Sequence, residues 1–308
     1  MQIASEPSGP FISLTLGEPE AEWRKVAVDQ LCDFFRNPVR FLLSRRLQVE
    51  LAPPGDIAED IENFDLDRLE QYLLKQRLLE EKIAGHDPGE LFASERAAGR
   101  LPLGRVGESR FAVVRREVED FFGTIQSFVR EPMLPPQEVE LDLPPFQLTA
   151  HIERCTQLGL VHYRSATVKA RDRLSLWIWH LILNGLEEFE CTRRSFLIGT
   201  NASLELLPVQ QARQHLAGLL DIYWAGLRRP LHFFPESSYV YARELLVNQR
   251  EEQRALQAAR ATWEGTPHNR GERDEEHYDL CFRTVDPIDE EFQHLSLQIF
   301  QPLLEHEH

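Results

Sequence analysis

Residues 33–51 read DFFRNPVRFLLSRRLQVEL, and this stretch decides how the rest of the chain is organised. Asn37-Pro38 marks a helix start, because Asn is a strong N-cap and Pro is tolerated at the first helical position, where its missing N–H has no partner to lose. The residues before it, with Val28, Leu31, Phe34 and Phe35 at helical spacing, predict a separate helix ending near Arg36. The alternation of Leu47, Val49 and Leu51 predicts a strand leaving the second helix. Four arginines, Arg36, Arg40, Arg45 and Arg46, fall within these residues. They have two readings: contacts to phosphate or to a partner, or salt bridges to the chain's own carboxylates.

Working outward, Ser5–Pro10 reads as a linker and Phe11–Leu16 as a short strand, an opening that fits a piece of a longer protein. Residues 52–63 read as a loop, with Asp65 capping a helix to about Ile83. Asp87-Pro-Gly-Glu90 gives a cap, a first-turn Pro and a capping-box Glu, for a helix ending near Gly99. LPLGRVGE (101–108) reads as a turn. Phe111, Val114, Val118, Phe121, Ile125 and Phe128 then form one continuous helical stripe, stopped at Pro132.

After Pro132 the period changes. Val139, Leu141 and Leu143 alternate with acidic residues, and Phe146, Leu148, Ala150 and Ile152 alternate with polar ones. A turn at Thr156–Gly159 leads to Leu160–Arg164. Three strands are predicted, the latter two as a hairpin. A helix follows over 171–184, with Trp177 and His180 read as core packing and Gly185 at its end. Extended pieces near 194–199 and 203–207 and a helix through Val209, Ala212, Leu216, Leu219 and Tyr223 come next. A polar helix (238–262), a hydrophilic loop (264–276) suited to disorder and terminal helices around Pro287 complete the pass. No internal repeat is seen.

Composition narrows the function. With 308 residues, 42% apolar and 27% charged, the chain is expected to be a globular body, with no apolar run long enough for a membrane span. The net charge of −16 argues against a surface that is uniformly nucleic-acid binding and leaves room for a local basic patch. Cys32, Cys155, Cys191 and Cys281 are far apart in sequence with no zinc spacing, which fits reduced thiols and a cytoplasmic location. No phosphate-binding GxxxxGK loop, no G-x-S-x-G and no Cys/His nucleophile pattern occurs, so ATP hydrolysis is not expected and no cofactor is implied.

Three blocks, FFRNPVRFLLSRRLQVEL (34–51), LPLGRVGE (101–108) and DIYWAGLRRPLHFFPESS (221–238), occur in the order found in the RecC C-terminal domain family, the gamma subunit of the RecBCD helicase–nuclease (exodeoxyribonuclease V), and the chain resembles that family over most of residues 20–304. The resemblance implies an α/β, three-layer α-β-α fold with a small central mixed sheet, like the PD-(D/E)XK nucleases but with extra helices. The division would be a linker and strand (1–20), a helical part (21–132) and a nuclease-like sheet with packing helices (133–304), with 21–304 one compact domain. It further implies a non-catalytic domain in a complex with RecB and RecD that docks those subunits and handles or splits DNA.

The chemistry of that fold makes the loss of catalysis explicit. Active relatives need an Asp near the end of the second strand and a D/E-x-K triplet on the third, whose alternate residues share one face and hold Mg²⁺ with carboxylate oxygens. The matching residues here are Glu153 on the second strand and His162 and Arg164 on the third. An imidazole is a poor magnesium ligand, and Arg cannot give up a proton. No metal is therefore assigned. Two rivals stand beside this expectation: an active metal-dependent nuclease using Glu153 with Glu108 or Glu117, and an acidic interaction module unrelated to DNA. A soft-metal set of His151, Glu153 and His162 is weighed against their being surface or packing residues.

Overall fold

The computed structural model describes residues 11–12, 14–51 and 68–308. A 3-10 turn over Ala21–Arg24 leads into strand β1 (Lys25–Ala27), which the sequence pattern does not announce. Helix α1 (Val28–Arg36) follows, and Asn37 caps the short helix α2 (Pro38–Phe41) by accepting from the Arg40 N–H at 2.8 Å. The end of the first helix at Arg36 and the start of the second at Asn37-Pro38 agree with the sequence.

The strand predicted at Leu47–Leu51 does not form. The chain instead widens into a π-type turn over Leu42–Arg46, and the Val49 N–H returns to the Leu43 carbonyl at 2.8 Å. Gln48, at φ 54°, turns the backbone away from extension. The alternating Leu47 and Val49 pack on a core cluster around Phe234 and Trp263 rather than on a sheet. Nor is there a strand among the described residues of 11–16: Leu14 is exposed, and the Leu16 N–H donates to the Arg228 carbonyl at 2.8 Å. The predicted linker over 5–10 and the Asp65 cap lie outside the described residues.

Helix α3 (Arg68–Ile83) packs against α5 (Gly104–Val129). Between them Asp87 accepts from the Gly89 N–H, and helix α4 (Leu91–Ala97) follows. The expected turn at 101–108 is shorter than predicted, since Gly104, at φ 68°, already begins α5. Gly107 lies over the Pro102 carbonyl, where a Cβ would stand 2.1 Å from the oxygen. That close approach explains a glycine inside the helix.

Strands β2 (Gln137–Leu143) and β3 (Phe146–Ile152) form an antiparallel hairpin, and β1 adds to β3 in parallel, giving the order β1-β3-β2. The hairpin predicted between the second and third strands is thus displaced by one element. β4 (Cys155–Thr156), β5 (Gly159–Tyr163), β6 (Ser195–Ile198) and β7 (Ser203–Leu206) make a separate mixed sheet in that order, with β5 and β6 parallel. In place of one central sheet there are two small mixed ones. The chain passes between them at Glu153-Arg154, and Arg154 holds φ 53°, which breaks the extended path.

The second sheet is covered on both faces. Val161 and Ile198 point to the cluster of α3 and α5, while Leu160 and Leu197 belong to the main core with α6 (Ala170–Gly185) and α7 (Ala212–Gly226). His180 of α6 is fully buried and satisfied: its Nε2–H donates to the Leu207 carbonyl at 3.0 Å, so Nδ1 accepts from the Ser195 hydroxyl at 2.8 Å. Desolvation drives its pKa down to about 4, which keeps the ring neutral as that pairing requires. Its ring stacks on Trp177 at 5.8 Å, as the core reading predicts.

The polar segment expected as one helix is two, α8 (Pro235–Leu246) and α9 (Glu252–Glu264). The segment expected to be disordered is ordered: β8 (Gly265–Thr266) and β9 (Asn269–Arg270) form a ribbon that carries Glu272 inward. Helices α10 (Glu276–Phe282) and α11 (Glu290–His306) flank Pro287. The result is an α/β protein of small mixed sheets and helices.

Candidate functional site

Because β3 ends at Ile152 and β5 runs from Gly159, the break in extended structure at Glu153-Arg154 leaves an open cleft of about 390 Å³ against α1 and α6. Glu153, His162 and Arg164 all line it, together with Asp29, Arg36 and Asp172. The three sequence-matched positions therefore converge, and Arg36 joins them from the end of α1.

Their environments differ. Glu153 is exposed and meets the His151 Nε2 at 3.2 Å. His162 faces the α6 side of the sheet, with its ring 6.3 Å from Trp179. Burial, helped by the nearby Arg154 charge, pushes its pKa down to about 4. The ring is neutral at ordinary pH. Arg164 forms an ion pair with Asp172 in the first turn of α6, and the other Asp172 oxygen accepts from the Lys169 N–H at 2.9 Å. The guanidinium is thus turned toward a carboxylate already committed to capping a helix.

Magnesium requires several oxygen ligands. In this cleft Asp172 is engaged, Glu153 faces a histidine, Asp29 stands on α1, and the third predicted strand offers an imidazole and a guanidinium. Among the described residues no three His, Cys, Asp or Glu side chains are grouped to hold a metal ion, His151, Glu153 and His162 included. Glu108 and Glu117 do not line the cleft; Glu117 pairs with Lys75 at 2.7 Å on the α3–α5 side of the sheet.

Of the other arginines singled out from sequence, Arg40 pairs with Asp33 at 2.6 Å and Arg46 with Glu20, so both follow the salt-bridge reading. Arg45 is exposed beside a second cavity lined by Trp23, Asp29 and Asp33. Arg36 is exposed and, among the described residues, has no ion-pair partner.

A model of the RecC C-terminal domain matches residues 23–246 of this sequence. The chain belongs to the RecC C-terminal domain family. The RecBCD enzyme subunit RecC of Escherichia coli (strain K12) is 27% identical over 291 residues, covering 90% of this chain and 26% of that protein. The RecBCD enzyme subunit RecC of Buchnera aphidicola subsp. Schizaphis graminum is 23% identical over 301 residues, covering 92% of the chain and 27% of that protein. The corresponding subunit of Mycobacterium tuberculosis is 32% identical over 114 residues, 37% of the chain and 10% of that protein. The chain spans about a quarter of the length of the first two RecC relatives.

Sequence reasoning named the three cleft positions of this RecC-family domain but missed what surrounds them. Asp172 had a legible signal, an acidic residue three places after Lys169 at a helix start. Asp29 and the left-handed Arg154 had none, because long-range packing places them there. Arg154 lays its guanidinium over the Tyr163 ring at 5.1 Å. Among the described residues no helix is long and apolar enough to cross a membrane.

Proposed function

We propose that the chain is a non-catalytic, nuclease-like domain of a RecC subunit, acting within a RecBCD-type complex in DNA repair. In this reading residues 21–304 form one compact domain related to the PD-(D/E)XK nucleases, docking RecB and RecD and handling or splitting DNA, in the cytoplasm. The observation that carries it is the cleft where Glu153, His162 and Arg164 meet. Its geometry supports a nuclease ancestry, and its chemistry supports loss of the metal, since a neutral imidazole and an Asp-paired guanidinium stand where a carboxylate and a lysine would serve. Strand separation needs a rigid wedge and no chemistry of its own when motor subunits supply the work. Of the four arginines singled out from sequence, Arg36 and Arg45 are the ones open to a phosphate, both exposed and without an ion-pair partner among the described residues, and Arg36 is the one that lines the cleft.

The test pairs two measurements. The purified chain is incubated with single-stranded DNA and Mg²⁺ or Mn²⁺, and no cleavage is expected; cleavage abolished by Glu153→Gln would overturn the non-catalytic reading. The same chain is mixed with RecB and RecD from its own source, and co-elution is expected. Failure to associate would remove the subunit reading and favour an independent acidic module.

A further inference from the structure

Two of the four cysteines, remote in sequence, meet in the fold. Cys155 opens β4, and Cys191 lies in the loop between α6 and β6, yet their sulfurs stand 3.2 Å apart. The other two, Cys32 and Cys281, are buried in separate parts of the core. The loop bearing Cys191 is already fastened to the β4–β5 turn, since the Thr192 N–H donates to the Gln157 carbonyl at 3.2 Å and the Thr192 hydroxyl donates to the Leu158 carbonyl. The two thiols are therefore held near one another by hydrogen bonds between the residues that follow each of them.

We propose that Cys155 and Cys191 form a reversible disulfide, a redox modification site in which Cys191 is the attacking sulfur and Cys155 the resolving one. The assignment of roles follows from access: Cys155 is buried and Cys191 is half-buried at the surface. It agrees with the electrostatics. The Cys155 S–H donates to the Cys191 sulfur, which, with the Arg193 charge, lowers the Cys191 pKa and raises that of Cys155.

The step is thiol–disulfide exchange with a low-molecular-weight disulfide such as glutathione disulfide. The Cys191 thiolate attacks one sulfur of that disulfide, whose S–S bond breaks and releases one glutathione thiolate. Cys155, losing its proton to solvent, then attacks the Cys191 sulfur of the mixed disulfide and expels the second glutathione. Two protein thiols are oxidised and one disulfide is reduced to two thiols. The product closes a covalent ring over residues 155–191, which contains β5 with His162, Arg164 directly after it, and α6 with Asp172. Oxidation would join β4, which directly follows the cleft residues Glu153 and Arg154, to the loop that follows α6. This inference does not rest on the non-catalytic reading of that cleft.

The whole chain is equilibrated, folded, with glutathione redox mixtures of increasing oxidising power, then acid-quenched, alkylated and peptide-mapped. The expected result is a single two-electron transition in which alkylatable thiols fall from four to two, with Cys32 and Cys281 still alkylated and a Cys155–Cys191 peptide pair recovered. Cys155→Ser should trap a glutathione adduct on Cys191, and Cys191→Ser should leave Cys155 unmodified. Should four thiols persist in the most oxidising mixture, or a different pair be recovered, the site is disproved. An adduct on Cys155 in the Cys191→Ser protein would overturn the roles. If Cys155→Ser does not fold, the wild-type map and the surface variant Cys191→Ser decide the matter by themselves.

Discussion

The Glu272 carboxylate sits on the first turn of α8, accepting from the Ser237 N–H at 2.7 Å and the Ser237 hydroxyl at 2.6 Å. The Glu236 N–H donates to its other oxygen at 3.0 Å. A residue from a distant loop thus supplies the cap that α8 lacks locally, since Phe234 at its N-cap has no side-chain acceptor. Burial pushes the Glu272 pKa up to about 7, with the Glu236 charge adding to it and the Ser237 and Glu236 hydrogen bonds opposing it.

That shift has a signed consequence for stability. Between about 4.5 and 7 the folded protein keeps a proton on Glu272 that the unfolded chain has released, so the contribution is full below 4.5 and lost as pH rises through 7. His162 and His180, both pushed down to about 4, act in the opposite sense over nearly the same window. The comparison with Glu272→Gln isolates the carboxylate. Denaturant unfolding from pH 4.5 to 8 should show wild type losing on the order of 2–3 kcal/mol relative to the Gln variant as pH rises. Parallel curves for the two proteins would mean that Glu272 titrates as it does in the unfolded chain.

Glu272 also shows where sequence reading reached its limit. Residues 264–276 are rich in Gly, Pro, His and charge, and composition alone assigns them to disorder. They are ordered because single side chains reach inward: Glu272 to α8, and Glu275 to the Asn37 side chain, whose Nδ2 donates at 2.7 Å. Such anchors have no local period. By contrast, the Asn37-Pro38 start and the α5 stripe were legible because cap chemistry and 3.6-residue spacing are local. The strand break at Arg154 was not legible, since a non-glycine residue at positive φ carries no sequence signal. The three cleft positions were found through family resemblance; the Asp172 clamp on Arg164 needed the fold.

The FFRNP stretch reaches its packing limit at Gly226. A Cβ there would stand 2.5 Å from Phe34 Cζ and 3.0 Å from Leu231 Cδ1. Phe34 is fully buried and edge-on to Phe35, Phe41 and Tyr223, so it has no free direction in which to yield. Gly226→Ala should therefore cost about 1–3 kcal/mol despite the higher helix propensity of Ala. Thermal unfolding read against Gly218→Ala, a helical position in α7 where a Cβ meets nothing within 4 Å, provides the control. Equal midpoints for the two variants would show that the aromatic cluster can relax.

Arg36 and Arg164 line one cleft, and their separate roles make the last prediction. Arg164 is largely enclosed and bound to Asp172, which also caps α6, so Arg164→Gln removes a partner from a partly buried carboxylate. The expected loss is about 1–2 kcal/mol of stability, between that of exposed and fully buried pairs, with little change in DNA affinity. Arg36 is exposed and, among the described residues, without an ion-pair partner, so Arg36→Gln should leave stability within about 0.5 kcal/mol. If it meets a phosphate, the variant should weaken binding of single-stranded DNA and reduce the slope of log affinity against log salt by about 0.7. The measurement is a salt titration of DNA binding on the full chain, with denaturant unfolding in parallel. A change of salt slope in Arg164→Gln but not in Arg36→Gln would reverse the assignment, placing the phosphate contact on the third strand and returning Arg36 to a solvated surface role.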